Sequence, residues 1–193
     1  QLFIRTTIAL AAAIEAKDRY THGHTSRVTD LSMEIAQRME TKSKKKFPGK
    51  FFENLHISSL LHDIGKIGVP EHILNKRSSL TVGERNRIKE HPMIGVNILK
   101  SIKELEGAVL GVRYHHERFD GLGYPERLKG EQIPLVASII TVADSFDAMS
   151  TDRPYRVALS KADVINEIKH LSGQQFSPVV TDTFLELCQE GKI

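Results

Sequence analysis

A single cysteine, Cys188, stands in 193 residues. This excludes an internal disulfide framework and any thiolate-ligated zinc site, and it suits a reducing compartment. Phe184, Leu185 and Leu187 around it favour a buried structural thiol over a reactive one. No apolar run reaches about 18 residues, so a transmembrane helix is not expected. Charge of one sign is also scarce. The formal net charge is +3, too small to point to nucleic acid by itself. Internal repeats are absent, and the one strand-like run, 139–142, lies inside a longer apolar segment better read as helix. The opening stretch "QLFIRTTIALAAAIEAKDRY" lacks the order of a signal peptide and starts without Met. It reads as a helix cut from a longer chain. The expected setting is cytoplasmic.

What is present is ordinary for a folded domain, with a hydrophobic fraction of 40% and a charged fraction of 26%. The length fits one domain with a substantial core. Helical periodicity runs through 3–17, 22–39 and 51–62. The segment "TKSKKKFPGK" reads as a solvated basic connection, and 64–80, with Gly65, Gly68 and Pro70, as irregular. Thr81 with Glu84 predicts a capped helix over 81–90, and Pro92 fits the first position of the next one. Helices are further expected over 105–116, from Pro134 to about Ser150, after Ser160, and after the Ser177-Pro178 pair. The class is all-α.

Chemistry concentrates at inward faces and helix ends. "PLVASIITVADSFDAMS" is apolar nearly all round and should be buried, yet it carries Asp144 and Asp147. A buried carboxylate needs a positive partner, either a Lys or Arg or a metal ion. His24 shares the inward stripe of Val28 and Leu31, and His62 shares that of Leu55, Ser58 and Ser59. His91 precedes Pro92 at a helix junction, while His115 and His116 end an apolar helix row. Each alone has a bland reading as a hydrogen-bonded core or helix-end residue. Five such histidines with Asp63 and Asp144 favour a metal centre of imidazole and carboxylate, suited to Fe, Mn, Ni or Zn.

These residues resemble a known family. His24, His62-Asp63 and Asp144 reproduce the H…HD…D pattern of the HD superfamily of metal-dependent phosphohydrolases. "HDIGK" at 62–66 and "HHERFDGLGYP" at 115–125 are similar to the signatures of its HD-GYP subfamily, with His91 and "ADSFDAMSTDRPYR" in support. The resemblance covers nearly the whole chain. It implies an HD-superfamily helical bundle over 1–193, with a buried binuclear metal site and residues 1–17 continuing from a missing upstream sensory or receiver domain. It also implies hydrolysis of cyclic di-GMP to the linear dinucleotide, GMP or both.

Carried over residue by residue, the resemblance implies that His24, His62, Asp63 and Asp144 hold one divalent transition metal. His91, His115 and His116 hold the other, with Asp63 bridging. Fe or Mn is expected, with Ni or Zn as alternatives. Asp63 and Lys66 are the implied catalytic residues, Lys66 contacting phosphate as a fixed cation. Gly123, Tyr124, Arg153 and Arg156 join Lys66 in binding substrate. Some relatives carry a metal-binding Glu four residues before the first histidine. Here that position is Tyr20, a poor ligand at neutral pH, which argues for two metals rather than three. Asp147 is expected to orient a histidine. His22 is expected to be exposed, and His56, His72 and His170 match no motif position.

The 121–125 loop is expected to form a wall beside the metals, with Gly121 and Gly123 adopting conformations closed to other residues. Glu117 and Asp120 would orient the imidazoles or the nearby backbone. Tyr124 has three open readings: substrate contact, contact with a diguanylate cyclase, or packing of the loop. A homodimer is an open expectation; DNA and membrane contacts are not expected of this segment. Two alternatives stand beside the main reading. One is a hydrolase of a different cyclic dinucleotide, and the other is a non-catalytic cyclic-dinucleotide-binding or protein-docking module.

Overall fold

The computed structural model describes residues 2–18, 23–152 and 157–193. Tyr20, His22, Arg153 and Arg156 lie outside the described residues, and so do the expectations attached to them. The ten α-helices described are α1 (Leu2–Lys17), α2 (His24–Ser43), α3 (Phe51–Leu61), α4 (Glu71–Leu74), α5 (Val82–Ile88), α6 (His91–Leu99), α7 (Val109–Tyr114), α8 (Leu135–Ser150), α9 (Lys161–His170) and α10 (Pro178–Gln189). Short 3-10 turns occupy Ile64–Gly68, Lys103–Ala108 and Gly130–Gln132. The described residues contain no strand, only an isolated bridge between Ser172 and Phe176.

The apolar segment 139–142 is helical, and it is buried because α8 runs through the middle of the bundle. Ile139, Ile140, Val142 and Ala143 are fully enclosed. They pack with Val28, Leu31 and Ile35 of α2, Val164 and Ile168 of α9, and Val180 and Phe184 of α10. A second cluster joins Ile57 and Leu61 of α3, Ile64, Leu99 of α6, Leu105, and Val112 of α7, with Ile14 of α1 against it. The elements of the first cluster carry His24 and Asp144, and those of the second carry His62, Asp63, His91 and His115. The two hydrophobic cores thus bring two sets of polar side chains to one place.

Local signals explain the starts of α5 and α9. Thr81 and Glu84 form the reciprocal capping box of α5: the Glu84 N–H donates to Thr81 Oγ1 at 3.2 Å, and the Thr81 N–H donates to Glu84 Oε2 at 2.8 Å. Ser160 caps α9 by accepting from the Asp163 N–H at 3.1 Å. Other boundaries differ from the sequence reading. α2 runs on to Ser43 and ends where Lys44 turns left-handed (φ 55°), so the basic connection begins inside the helix. The segment 105–116 is a 3-10 turn followed by a short α-helix, and His115 caps it at the C-terminus. Ser177 makes no side-chain cap, and Pro178 alone starts α10. Cys188 is half-buried rather than buried.

Candidate metal centre

Two side-chain groups among the described residues have the composition and spacing to hold metal ions. His24, His62 and Asp144 form one, and His91, His115 and His116 the other; in each, ligand atoms lie within 4.8 Å of one another. Asp63 stands between them. Its Oδ1 is 3.3 Å from His91 Nε2, and its Oδ2 is 3.5 Å from His62 Nε2 and 4.0 Å from His24 Nε2. One carboxylate therefore turns one oxygen to each group.

The backbone makes this convergence possible. α3 ends at His62, and Asp63 (φ −96°, ψ 5°) turns the chain into the 3-10 segment. Gly65 then lies directly against the start of α6. A Cβ there would fall 1.8 Å from the His91 carbonyl oxygen and 2.6 Å from the Gly95 nitrogen, so no side chain fits. The bare backbone at Gly65 is what lets the His-Asp turn approach His91.

Hydrogen bonds fix how the imidazoles point. His62, His91 and His115 each direct Nδ1 at the carbonyl three residues earlier: Ser59 at 2.7 Å, Ile88 at 2.7 Å and Val112 at 2.8 Å. A carbonyl only accepts, so Nδ1 carries the proton and Nε2 presents a lone pair. His24 directs Nδ1 at Asp147 Oδ2, 2.7 Å away, with the same result. Asp147 thus orients a histidine as expected, and Arg27 Nε donates to its other oxygen at 2.5 Å. The open nitrogens then face each other in pairs. Nε2 of His24 lies 3.3 Å from that of His62, and Nε2 of His91 lies 3.2 Å from that of His115. Facing lone pairs in a buried place call for a cation to share. Imidazoles oriented through Nδ1 are the arrangement that metal ligation uses, so the donor set fits metal.

The electrostatics agree. Burial, with the neighbouring imidazoles adding to it, holds His115 well below its ordinary pKa. Burial also lowers His91, and it pushes His116 down to about 3. All three are neutral near pH 7, the form that binds metal. His24 goes the other way. Burial lowers it, but Asp147, Asp144 and Asp63 together raise it above the usual value. Asp63 is opposed by burial, yet Lys66 and then the surrounding imidazoles hold it well below the ordinary carboxylate range. Asp144 is half-buried at 20% side-chain exposure, not buried as the sequence suggested, and it faces His24 Nε2 at 3.4 Å.

Lys66 is firmly engaged. Its Nζ lies 2.8 Å from Asp63 Oδ2 and 2.8 Å from Asp18 Oδ2. Burial would lower its pKa, but the two carboxylates raise it above the ordinary value. Sequence reasoning missed the end of α1 altogether. Lys17 Nζ donates to the carbonyls of Lys66 (3.2 Å), Ile67 (2.6 Å) and Val69 (2.7 Å). Glu15 accepts from the N–H groups of Gly23 (3.0 Å) and Thr25 (2.7 Å), at the start of α2.

A cavity of about 270 Å³ opens beside the second group, lined by His115, His116, Tyr124, Asp144, Ser145 and Lys89 among others. The 121–125 loop walls it. Gly121 is left-handed (φ 83°), as anticipated. Gly123 is needed for another reason: a Cβ there would come within 2.4 Å of the Arg118 nitrogen and 2.6 Å of the His116 carbonyl oxygen. Tyr124 stacks on the His116 ring with centroids 4.8 Å apart. Glu117, almost fully buried, accepts from the N–H groups of Glu126 (2.7 Å) and Leu128 (3.1 Å), and Asp120 accepts from that of Leu122 (2.9 Å). Both acids brace backbone, not imidazole. His56 is half-buried and lines a separate cleft with Glu15 and Thr29, while His72 and His170 are exposed.

Comparison with known proteins places the sequence and the fold among relatives. The sequence profile of the HD domain family matches residues 9–180. The chain is 42% identical over 180 residues to the cyclic di-GMP phosphodiesterase of Thermotoga maritima, covering 91% of this chain and 47% of that one. It is 35% identical over 183 residues to the cyclic di-GMP phosphodiesterase response regulator RpfG of Xanthomonas campestris pv. campestris, covering 93% and 47%. It is 36% identical over 151 residues to the 3'3'-cGAMP-specific phosphodiesterase 3 of Vibrio cholerae, covering 78% and 32%. The chain thus spans less than half the length of these curated relatives. Among solved structures, it is similar in fold to the cyclic GMP-AMP-specific phosphodiesterase V-cGAP3 of V. cholerae. The TM-score is 0.70 at 20% identity, covering 96% of this chain and 49% of that one. The HD domain of the Listeria monocytogenes phosphodiesterase PgpH, in complex with cyclic-di-AMP, gives a TM-score of 0.59 at 17% identity, covering 95% and 97%.

Proposed function

The chain belongs to the HD domain family and carries the HD-GYP signature, and on that premise we propose that it is a metal-dependent phosphodiesterase that hydrolyses cyclic di-GMP. The observation that carries the reading is the pair of facing Nε2 atoms on either side of one shared carboxylate. His24, His62 and Asp144 would hold one divalent ion and His91, His115 and His116 the other, with one Asp63 oxygen toward each. Fe or Mn suits a set of imidazoles and carboxylates without thiolate. Two such ions supply Lewis-acid polarisation of a phosphoryl oxygen and lower the pKa of water.

The chain's own residues set the stage for that chemistry. The backbone carbonyls of Ser59, Ile88 and Val112, with Asp147, keep the ligand nitrogens aimed and deprotonated. Lys66 places a fixed positive charge beside Asp63 and, in this reading, beside the phosphate on which negative charge grows. Tyr124 and Gly123 shape the wall against which a base or ribose lies. Arg153 and Arg156 would complete the substrate contacts, since a guanidinium suits both phosphate and guanine. Contact with a diguanylate cyclase through the 121–125 loop belongs to the same proposal.

The test is metal content of protein purified without chelator, measured alongside product analysis on cyclic di-GMP. About two ions per chain, cleavage that chelator abolishes, and its return with Mn or Fe are the expected results. Metal-loaded protein that leaves cyclic di-GMP intact would overturn the substrate assignment. A second reading, cleavage of 3'3'-cGAMP, is favoured by the 36% identity to the V. cholerae enzyme. Parallel assays on the two dinucleotides decide between them, through the ratio of kcat/KM values.

A further inference from the structure

The cations around the site are not equally committed. Lys66 is held between Asp18 and Asp63. Arg118 is held by Asp120, at 2.6 Å from Oδ2, and by Gln175 Oε1 at 2.8 Å. Lys89 makes no side-chain hydrogen bond or ion pair among the described residues, although it lines the same cavity. Its Nζ lies over the face of Tyr124, 5.3 Å from the ring centroid. Tyr124 in turn stacks on His116, and the His116 ring lies 5.0 Å from that of His91. The backbone of Lys89 is anchored as the C-cap of α5, its N–H bonded to the Arg85 carbonyl at 3.0 Å, two residues before His91. An exposed ammonium with no counter-charge among the described residues is therefore tethered by an aromatic face at the rim of the cavity.

This position matters for a substrate with more than one charge. A cyclic dinucleotide carries two phosphodiester anions, and only the one being cut can lie between the two ligand groups. The other must sit farther out, and among the described residues that line the cavity Lys89 is the cation with an open hydrogen-bonding shell. We propose that Lys89 binds the second, uncut phosphate, so that the protein reads its substrate as a double anion. A lysine suits this role as a compact point charge that accepts any approach angle of the phosphate oxygen. The inference rests on the cyclic dinucleotide phosphodiesterase reading above.

The test compares two diesters on metal-loaded protein, cyclic di-GMP and bis(p-nitrophenyl) phosphate, which has a single anionic phosphate. Lys89→Ala should raise KM for cyclic di-GMP about ten-fold, as loss of one charged hydrogen bond would. The penalty on the single-phosphate diester should be several-fold smaller. Lys89→Arg should restore most of the affinity. KM of the unaltered protein should rise with salt more steeply than that of Lys89→Ala. Equal penalties on both diesters would put Lys89 at the cut phosphate and overturn the proposal, as would KM values that do not move on either. If the unaltered protein cuts the single-phosphate diester but no cyclic dinucleotide, the substrate reading falls and this inference falls with it.

Discussion

Around His24, three carboxylates converge: Asp147 at 2.7 Å, Asp144 at 3.4 Å and Asp63 at 4.0 Å. Around His115, three imidazoles crowd close, with the His116 ring at 4.1 Å and the His62 and His91 rings at 5.2 Å each, and Asp63 opposes them more weakly. The same side chain is pushed up in the first setting and well down in the second. An ion in the His24 group would be held by charge, and an ion in the His91 group by neutral nitrogen donors alone, apart from its share of Asp63. The two halves of the centre are thus unequal by construction, and the second ion should be the more easily lost.

Asp63→Ala should have the largest effect, because it removes the carboxylate common to both halves and the only charge in the His91 half. Turnover should fall to background and both ions should be lost, whereas His56→Ala should keep both. Elemental analysis with an assay on cyclic di-GMP checks this, and a turning-over Asp63→Ala protein would show that the halves work independently. Lys66→Ala should lower kcat by about 10²–10³ with both ions retained, the usual scale for a preorganised donor at a growing negative charge. Ion loss in that variant would instead place the work of Lys66 in holding Asp63. Asp147→Asn sharpens the comparison from one side. It keeps the shape but removes charge from the His24 half, so affinity there should drop about 10–100-fold. Competitive chelator titration should show the two steps moving closer together.

A further effect is on stability of the metal-free protein. His116 titrates near 3 when folded and near 6.5 when free, and His91 and His115 shift the same way. Below about pH 6.5 the unfolded chain therefore binds more protons than the folded one, and stability should decline as pH falls from there toward 3. The raised His24 opposes this only in part. Denaturant melts of chelated protein across that range should show the decline, and metal-loaded protein should resist it until the ions leave.

The proposed ligands could be read from the sequence because each sits in a short motif or on a helical stripe, where local spacing reports which side chains face inward. The helices themselves could be read for the same reason, and the apolar α8 stood out by having no polar face. What stayed hidden was non-local. Nothing near Lys66 announces Asp18, 48 residues earlier, and nothing near His24 shows that Glu15 caps the start of its helix. The role of Gly123 was misassigned to backbone freedom because a steric need for bare backbone against Arg118 and His116 leaves no local trace. The break of 105–116 into a 3-10 turn and a short helix was hidden too, because both forms keep their apolar residues about one turn apart.

The last turn of α1 has a practical consequence for defining the domain's edge. A chain trimmed to begin at Gly23 would keep all seven proposed metal ligands and would look complete by motif. It would nevertheless lose the acceptor of the Gly23 and Thr25 N–H groups, the ammonium that gathers the carbonyls of residues 66, 67 and 69, and one of the two counter-charges of Lys66. Residues 15–18 behave as the clasp that closes the site from outside its own motif, and a minimal folded unit has to include them.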